Sequence, residues 1–251
     1  MKKLVIGNWK LNPASLEEAK EIIHKAKATA AQLSHTEVVL CPPFVFISAI
    51  TDKDAESVTR GAQSVSVQES GSHTGEVSAA MLKGMGVKYV LAGHSEERAR
   101  GDSDEIVAGR VKAILENGMH AVLCVGEKER DENGEYLEAL KIQIQKSLAL
   151  VPAGKAKNIV MAYEPIWAIG AQEAMKAEQV YEMSIFVKKV FSDVFTQEQA
   201  MKVTILYGGS VNFSNAADII SVGKVDGLLV GRESINLTGF SDLLKVVDEI
   251  K

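Results

Sequence analysis

Short apolar runs alternate with longer segments of helical period along most of the chain. The apolar runs are rich in Val, Ile and Leu, which is typical of parallel strands that are buried on both faces. The segments between them place apolar residues three and four positions apart, which predicts helices that cover a sheet. Eight strands are predicted: Lys3 to Asn8, Glu37 to Cys41, Val58 to Gln63, Tyr89 to Gly93, Ala121 to Gly126, Ile159 to Tyr163, Val203 to Tyr207 and Gly227 to Val230.

The segment after the first strand shows the helical pattern most clearly. Ser15 and Glu18 have the spacing of a capping box, so a helix is expected to begin at Ser15. A single apolar stripe then follows at helical spacing: Leu16, Ala19, Ile22, Ile23 and Ala26. Such an apolar face is expected to pack against a sheet.

Strands buried on both faces fit a closed barrel and a doubly wound open sheet equally well. Eight evenly spaced strands, with no Gly-rich dinucleotide motif after the first, favour closure. A length of 251 residues is also typical of one α/β barrel, and no Pro, Gly or Ser linker divides the chain. We therefore expect an α/β fold, with one domain over residues 1–251 and an outer ring of helices.

Composition narrows the classes of protein that need to be considered. Apolar residues make up 46% and charged residues 24% of the chain, as in an average globular protein. No apolar run is long enough for a membrane span, and a cytoplasmic location is predicted. Cys41 and Cys124 cannot form a disulfide framework, and no Cys/His cluster predicts a metal site or another cofactor. A net charge of -5 disfavours nucleic acid and anionic membranes as partners.

Polar residues follow several of the predicted strands. In a parallel barrel the functional residues lie at these carboxyl ends, because the loops there converge on one mouth. Taken alone, Lys10 could be a solvated cation, His94 a capping imidazole, Glu164 a turn carboxylate and Gly208-Gly209 a tight turn. Together, a base, an imidazole, a cation and a glycine nest on one rim predict an active site.

Four motifs at these strand ends resemble those of the triosephosphate isomerase family: Gly7 to Asn12 (GNWKLN), Ala92 to Glu96 (AGHSE), Ala162 to Gly170 (AYEPIWAIG) and Tyr207 to Asn212 (YGGSVN). They occur in the family's order, and the likeness runs from Lys3 to about Lys251. The resemblance implies a (β/α)8 TIM barrel that interconverts dihydroxyacetone phosphate and D-glyceraldehyde 3-phosphate through an enediolate, as in glycolysis and gluconeogenesis.

The same resemblance implies roles for individual residues. Glu164 is expected to be the base and His94 the electrophile, kept neutral by the helix that begins at Ser95 and Glu96. Substrate contacts are implied for Asn8 and Lys10, and phosphate contacts for Gly170, Ser210, Gly231 and the backbone of Arg232. Proton removal next to a carbonyl needs a carboxylate on one side and a proton donor on the other, which fits these residue types.

Three segments bear on how closely the chain follows that family. Pro165 to Gly170 resembles a lid, but Ala171 to Met175 departs from the usual Thr-Gly-Lys, so a working lid with an altered opening rate is predicted. Arg232 stands where a second glycine is common; its side chain could add charge to the phosphate pocket, but a surface pair with Glu233 is favoured. Ser64 to Ala79 resembles a loop that, in this family, reaches the active site of a second subunit and places Thr74 near it. A homodimer is therefore predicted. The alternative is that this segment is only a solvent-exposed loop.

Two other functions stay open at this point. Another phosphosugar barrel enzyme, such as an aldolase with a Schiff-base lysine, would need a lysine at a middle or late strand end, where the chain has none of the expected kind. A barrel that has lost catalysis and serves as a binding scaffold is disfavoured by the intact Lys10, His94 and Glu164, although the altered lid segment leaves it open.

Overall fold

The computed structural model of the protein describes residues 2–168 and 175–250, and its strands close into one barrel in chain order. Every neighbouring pair is parallel, and β1 pairs with β8 through Leu4 and Gly227, which closes the sheet and excludes the open alternative. The strands are β1 (Lys3–Asn8), β2 (Thr36–Cys41), β3 (Thr59–Ala62), β4 (Tyr89–Ala92), β5 (His120–Val125), β6 (Ile159–Tyr163), β7 (Thr204–Tyr207) and β8 (Gly227–Val230). The predicted fold class is confirmed, and each predicted strand lies within one residue of the observed bounds.

Helices surround the barrel, as the parallel connections require. Their bounds are α1 (Leu16–Ala30), α2 (Ala79–Gly84), α3 (Ser95–Ala99), α4 (Asp104–Glu116), α5 (Glu135–Ser147), α6 (Ala177–Val194), α7 (Gln197–Lys202), α8 (Ala216–Ser221) and α9 (Leu237–Glu249). Short 3-10 helices lie at Phe44–Ala49, Ala153–Asn158, Ile166–Ala168 and Arg232–Ile235. None of the helices in the described part of the chain has the length and apolar character to cross a bilayer.

Helix α1 follows its prediction except at its first residue. The Ser15 hydroxyl accepts the Glu18 N–H at 3.2 Å, but the Glu18 carboxylate accepts the Ala14 N–H, so only half of the capping box forms. Ala19 and the later members of the stripe are buried, whereas Leu16 is 41% exposed. Helical side chains lean toward the N-terminus, so Leu16 extends past the start of the helix, and its predicted burial is wrong.

The barrel interior is filled by apolar side chains, and this cluster is separate from the larger core between strands and helices. Cys41 and Cys124 are both free thiols in this interior, and burial raises the pKa of each above its usual value. The interior residues are Leu4, Ile6, Val39, Cys41, Leu91, Val122, Cys124, Val160, Ala162, Leu206 and Leu229.

At the mouth of the barrel, most of the side chains that face the barrel axis are small, and one of them is a carboxylate. Side chains alternate along a strand, so the positions two residues beyond the interior layer face the same axis. On β1, β5, β6, β7 and β8 these positions are Asn8, Gly126, Glu164, Gly208 and Gly231. A Cβ at Gly126 would strike the Glu164 carbonyl oxygen, and one at Gly208 would lie 2.9 Å from Glu164 Cγ. The two glycines therefore make the room that Glu164 occupies.

The long connection between β3 and α2 is ordered at its base. The Ser66 N–H donates to the Val77 carbonyl at 2.8 Å, and the Ser66 hydroxyl accepts the Gln68 N–H at 3.0 Å. Its tip, which includes Thr74, is exposed. The segment is thus a closed loop that projects from the carboxyl end of the barrel.

We predict that Gly126→Ala destabilises the protein by about 1–3 kcal/mol, because the added methyl group forces β5 and β6 apart. The matched control is Gly154→Ala, where a Cβ meets no atom within 4 Å. Thermal unfolding followed by circular dichroism measures both variants. Equal midpoints for the two would contradict the close approach of Gly126 to Glu164.

Candidate active site

A cavity of about 500 Å³ opens at the carboxyl ends of the strands, within the usual size range of small-ligand sites. It is lined by Asn8, Lys10, His94, Glu96, Glu164, Ser210, Gly231 and Arg232 among others. The structure thus brings together most of the predicted site residues. Gly170 and the altered part of the predicted lid, apart from Met175, lie outside the described residues. Thr74 lies on the exposed loop and does not line the cavity of its own chain.

Lys10 adopts a backbone conformation that is rare for a residue with a side chain. Its φ is 54°, in the left-handed region, where such strain needs support from its surroundings. The Asn8 side chain accepts the Lys10 N–H at 3.0 Å, and Gln63 Nε2 donates to the Lys10 carbonyl at 2.8 Å and to the Cys41 carbonyl at 2.9 Å. The ends of β1, β2 and β3 therefore hold Lys10 in the conformation that directs its ammonium into the cavity.

His94 links the end of β4 to the start of α3. Its Nδ1 accepts the Glu96 N–H at 3.2 Å, so a neutral imidazole in this place carries its proton on Nε2. That Nε2 lies 3.1 Å from Glu164 Oε1. Burial lowers the pKa of His94, but the adjacent Glu164 carboxylate raises it more, so the pKa lies above its ordinary value while the two groups touch.

Glu164 is the most deeply buried carboxylate of the cavity, with 2% of the residue exposed. Its Oε1 contacts His94, and its Oε2 accepts the Ser95 N–H at 3.3 Å. Its own N–H donates to the Val125 carbonyl at 2.8 Å. A buried carboxylate in contact with an imidazole can exchange a proton with a ligand at this position, which makes the pair a candidate acid–base site.

Glu96 connects the cation of the site to the imidazole. Lys10 Nζ lies 2.6 Å from Glu96 Oε1, and His94 Nδ1 lies 4.0 Å from Glu96 Oε2. Burial raises the pKa of Glu96, but the hydrogen bond and charge of Lys10 lower it more, so the net pKa is below its usual value. Glu96 is therefore an anion at neutral pH and forms an ion pair with Lys10.

The opposite wall is built from the ends of β7 and β8. Asn215 Nδ2 donates to the Ser210 carbonyl at 3.1 Å, and the Ser234 hydroxyl donates to the Gly231 carbonyl at 2.7 Å. Arg232 begins a 3-10 helix, so its N–H has no partner within that helix. Backbone donors and a guanidinium on this wall suit an anion.

The predicted surface pair between Arg232 and Glu233 is wrong. Within the described residues Arg232 forms no ion pair, and Glu233 Oε2 instead accepts a hydrogen bond from Asn236 Nδ2 at 3.3 Å. The 3-10 turn places Glu233 beside Asn236, and both Arg232 and Glu233 line the cavity. The alternative, that the Arg232 side chain adds charge to the phosphate pocket, stays a prediction.

Some residues that shape the site were not predicted from the sequence. Gln63 supports Lys10, and its signal was present, because it is a polar residue at the end of the third predicted strand. Glu127 accepts hydrogen bonds from Tyr163 and Trp167 on either side of Glu164, and it too carried a signal, because it directly follows the fifth predicted strand. No cluster of three or more His, Cys, Asp or Glu suited to a metal occurs among residues 2–168 and 175–250.

We predict that Glu164→Gln lowers the pKa of His94, because the carboxylate charge that raises it is removed while burial still lowers it. An NMR titration of the imidazole nitrogens measures this. His120, at the start of β5, is an internal control, since its pKa is lowered by burial and does not depend on Glu164. An unchanged or higher His94 pKa in the variant would contradict the contact between the two groups.

Known proteins resemble this chain over nearly its full length. The family model described as Triosephosphate isomerase matches residues 3–247. The triosephosphate isomerase of Carboxydothermus hydrogenoformans is 37% identical over 250 residues, which cover 97% of this chain and 98% of the relative. That of Fusobacterium nucleatum is 38% identical over 98% and 99%, and that of Dehalococcoides mccartyi is 35% identical over the whole of both chains. The chain belongs to the triosephosphate isomerase family.

Proposed function

We propose that this protein interconverts dihydroxyacetone phosphate and D-glyceraldehyde 3-phosphate, with Glu164 as the base. The observation that carries the proposal is the buried Glu164 carboxylate in contact with His94 Nε2 at the mouth of the barrel, in a chain of this family. Substrate and product are isomers, so the reaction moves protons within one molecule and needs no redox cofactor. The family supports a place in glycolysis and gluconeogenesis, and a cytoplasmic location and a single domain over residues 1–251 belong to the same proposal.

Each proton has a place in this site. Glu164 takes a proton from the carbon next to the carbonyl, the electron pair of that C–H bond forms a carbon–carbon double bond, and the π pair of the carbonyl moves onto its oxygen. His94 Nε2–H faces that oxygen and stabilises the charge that develops there. His94 then moves the hydroxyl proton from one oxygen of the enediolate to the other, Glu164 returns its proton to the carbon that carried the carbonyl oxygen, and the new carbonyl forms on the neighbouring carbon.

The contact between Glu164 and His94 must open when substrate binds. Their atoms are 3.1 Å apart, which leaves no room for the reacting carbon and oxygen between them. Once they are separated, the main cause that raises the pKa of His94 is weakened, while burial still lowers it. The imidazole is then a neutral donor, which is the established state of this histidine in the triosephosphate isomerase family, where a helix N-terminus lowers its pKa.

Lys10 supplies the positive charge next to the developing enediolate. Base catalysis contributes roughly 10² to 10⁴-fold, or about 3–5 kcal/mol, whereas even modest enzymes lower the barrier by roughly 8 kcal/mol. Fixed donors at a developing anion are typically worth about 3 kcal/mol each. Lys10 and His94, both held by backbone contacts, can together account for the difference.

The wall formed by Ser210, Gly231 and Arg232 suits the substrate phosphate. Backbone N–H groups at Gly231 and Arg232 can donate to a phosphate oxygen, and the Arg232 guanidinium adds a charge that a glycine at this position would not. Gly170 remains part of the proposed phosphate site on the basis of the family resemblance alone.

The aldolase alternative is not favoured by the environment of Lys10. An amine that forms a Schiff base must lose its proton to become a nucleophile. Lys10 Nζ instead lies 2.6 Å from the Glu96 carboxylate, which stabilises the ammonium. The scaffold alternative gives no reason for a buried carboxylate and imidazole to be held together at the base of a cavity, a costly arrangement without a functional role.

We predict that the purified protein isomerises glyceraldehyde 3-phosphate in a coupled assay, and that Glu164→Asp and Lys10→Ala each lower kcat/KM by at least about 100-fold. Shortening the carboxylate moves the base away from the carbon, and removing the ammonium leaves the enediolate without its cation. Arg232→Ala is expected mainly to raise KM.

The control is Lys141→Ala, which removes an exposed ammonium on α5 that pairs only with Glu138 among the described residues. Full activity is expected for this variant. An inactive wild-type protein, or a Glu164→Asp variant with unchanged kcat, would refute the proposed function.

A homodimer is proposed as the working form. The loops after β1, β2 and β3 are neighbours on the rim, and each presents exposed residues, with Leu11 94% and Val45 75% exposed. Large exposed apolar side chains on adjacent loops are typical of a protein interface. The projecting loop would carry Thr74 toward Asn8 and Lys10 of the partner subunit.

We predict that Val45→Glu dissociates this dimer, because the change buries a charge in the interface. Sedimentation at micromolar concentration should give dimer for the wild type and monomer for the variant. Met201→Glu is the matched control, since Met201 is 71% exposed on α7, away from these loops. A wild-type monomer at this concentration would contradict the proposal.

A further inference from the structure

Arg130 lies outside the cavity, where the segments that follow β5 and β6 meet. Its guanidinium carbon is 5.1 Å from the centre of the Tyr136 ring and 5.2 Å from that of Trp167, so it lies between two aromatic faces. Its Nε donates to Glu127 Oε1 at 2.9 Å. None of the proposed steps of the isomerisation involves Arg130 or these partners.

Glu127 is the acceptor that joins the two segments. Its side chain is only 2% exposed, and besides Arg130 it accepts the Tyr163 hydroxyl at 2.8 Å and the Trp167 indole N–H at 2.9 Å. Burial and the charge of Glu127 raise the pKa of Tyr163, so that its hydroxyl stays protonated and donates. A buried carboxylate is costly without a cation. Arg130 therefore allows Glu127 to bind Tyr163 and Trp167 as an anion.

The guanidinium also contacts these elements directly. Arg130 Nη2 donates to the Tyr163 hydroxyl oxygen at 3.0 Å and approaches Met175 Sδ at 3.9 Å. The planar guanidinium has five N–H donors, so it can bond to Glu127 and Tyr163 while its faces contact two aromatic rings. The compact ammonium of a lysine cannot make all of these contacts. Arg130 thus contacts Tyr163, immediately before Glu164, and Trp167, three residues after it.

The backbone between these contacts has little freedom. The Glu164 N–H is bonded to the Val125 carbonyl, and the Ile166 N–H is bonded to the Glu127 carbonyl at 3.0 Å. Gly126 approaches the Glu164 carbonyl so closely that no side chain fits between them. A shift of Glu127 or Trp167 would therefore be passed to Glu164 through a short, tightly packed stretch of chain.

We propose that Arg130 is a positioning residue for Glu164: by binding Glu127, Tyr163 and Trp167 together, it holds the end of β6 so that the carboxylate faces the substrate carbon. The inference rests on the proposed role of Glu164 as base. A base displaced by about 1 Å can lose about 100-fold in rate, so partial loosening is expected to cost roughly 10-fold.

The test compares Arg130→Met, which keeps the length but removes the charge and donors, with Arg130→Lys, which keeps the charge but not the fork. Lys128→Met is the matched control, because Lys128 is exposed two residues away and forms no ion pair with the described part of the chain. We expect Arg130→Met to lower kcat roughly 10-fold with KM within about 2-fold, Arg130→Lys to be intermediate and Lys128→Met to be unchanged.

A double-mutant cycle with Glu164→Asp separates positioning from general stability. If Arg130 acts through Glu164, then Arg130→Met costs less than about 3-fold in the Glu164→Asp background, because the base is already misplaced. A full 10-fold loss in that background, or an Arg130→Met enzyme with wild-type kcat, would overturn the inference. An active wild type with an impaired Glu164→Asp variant keeps the proposed function intact in either case.

Tryptophan emission gives a readout that does not depend on turnover. Trp9 is buried and Trp167 is 40% exposed, and the Trp167→Phe variant identifies the Trp167 component. We expect Arg130→Met to shift that component to longer wavelength, because the ring loses its guanidinium cover, and Lys128→Met to leave it unchanged. Unchanged Trp167 emission in Arg130→Met would show that Arg130 does not hold the ring, and it would overturn the inference even if that variant unfolds at a lower temperature.

Discussion

Closure of the parallel barrel is the constraint on which the rest of the structure depends. Pairing of β1 with β8 brings the carboxyl ends of all strands to one rim, so residues far apart in the chain face one axis. Above the apolar interior, that axis holds glycines and a single carboxylate, Glu164. The close approach of Gly126 and Gly208 fixes where this carboxylate can be. The cavity, its charge distribution and its chemistry all follow from this crowded point.

The site combines a lysine with a rare backbone conformation, Lys10, and a contact between the His94 imidazole and the Glu164 carboxylate. Lys10 occupies a left-handed conformation that Asn8, at the end of β1, and Gln63, just after β3, hold in place. His94 uses its Nδ1 to cap a helix, which leaves its Nε2 proton for the cavity. Without substrate this proton faces Glu164, so the two groups satisfy each other until a ligand separates them. In the proposed mechanism, substrate takes the place of this contact between Glu164 and His94.

A second group of hydrogen-bonded side chains lies outside the cavity, beside the end of β6. There a second buried carboxylate, Glu127, which follows β5, accepts hydrogen bonds from Arg130, Tyr163 and Trp167. One strand end thus carries the carboxylate that we propose as the base, and the neighbouring strand end carries a carboxylate that three side chains bind. A base must be placed precisely, so its backbone has to be held by other groups. We propose that the side chains around Glu127 do this for Glu164.

The sequence by itself determined the fold class and the main candidates for catalysis. Near-continuous apolar strands and amphipathic helices require a parallel sheet covered on both faces, and motifs at the strand ends pointed to Lys10, His94 and Glu164 before any geometry was known. Tertiary structure alone decided how these residues meet. The Lys10–Glu96, Ser95–Glu164 and Arg130–Tyr163 contacts join residues 86, 69 and 33 positions apart, and no periodic pattern encodes such pairs. The contact of Glu233 with Asn236 instead of Arg232 depended likewise on a local turn, because a side chain's partner is set by the space that the folded backbone leaves around it.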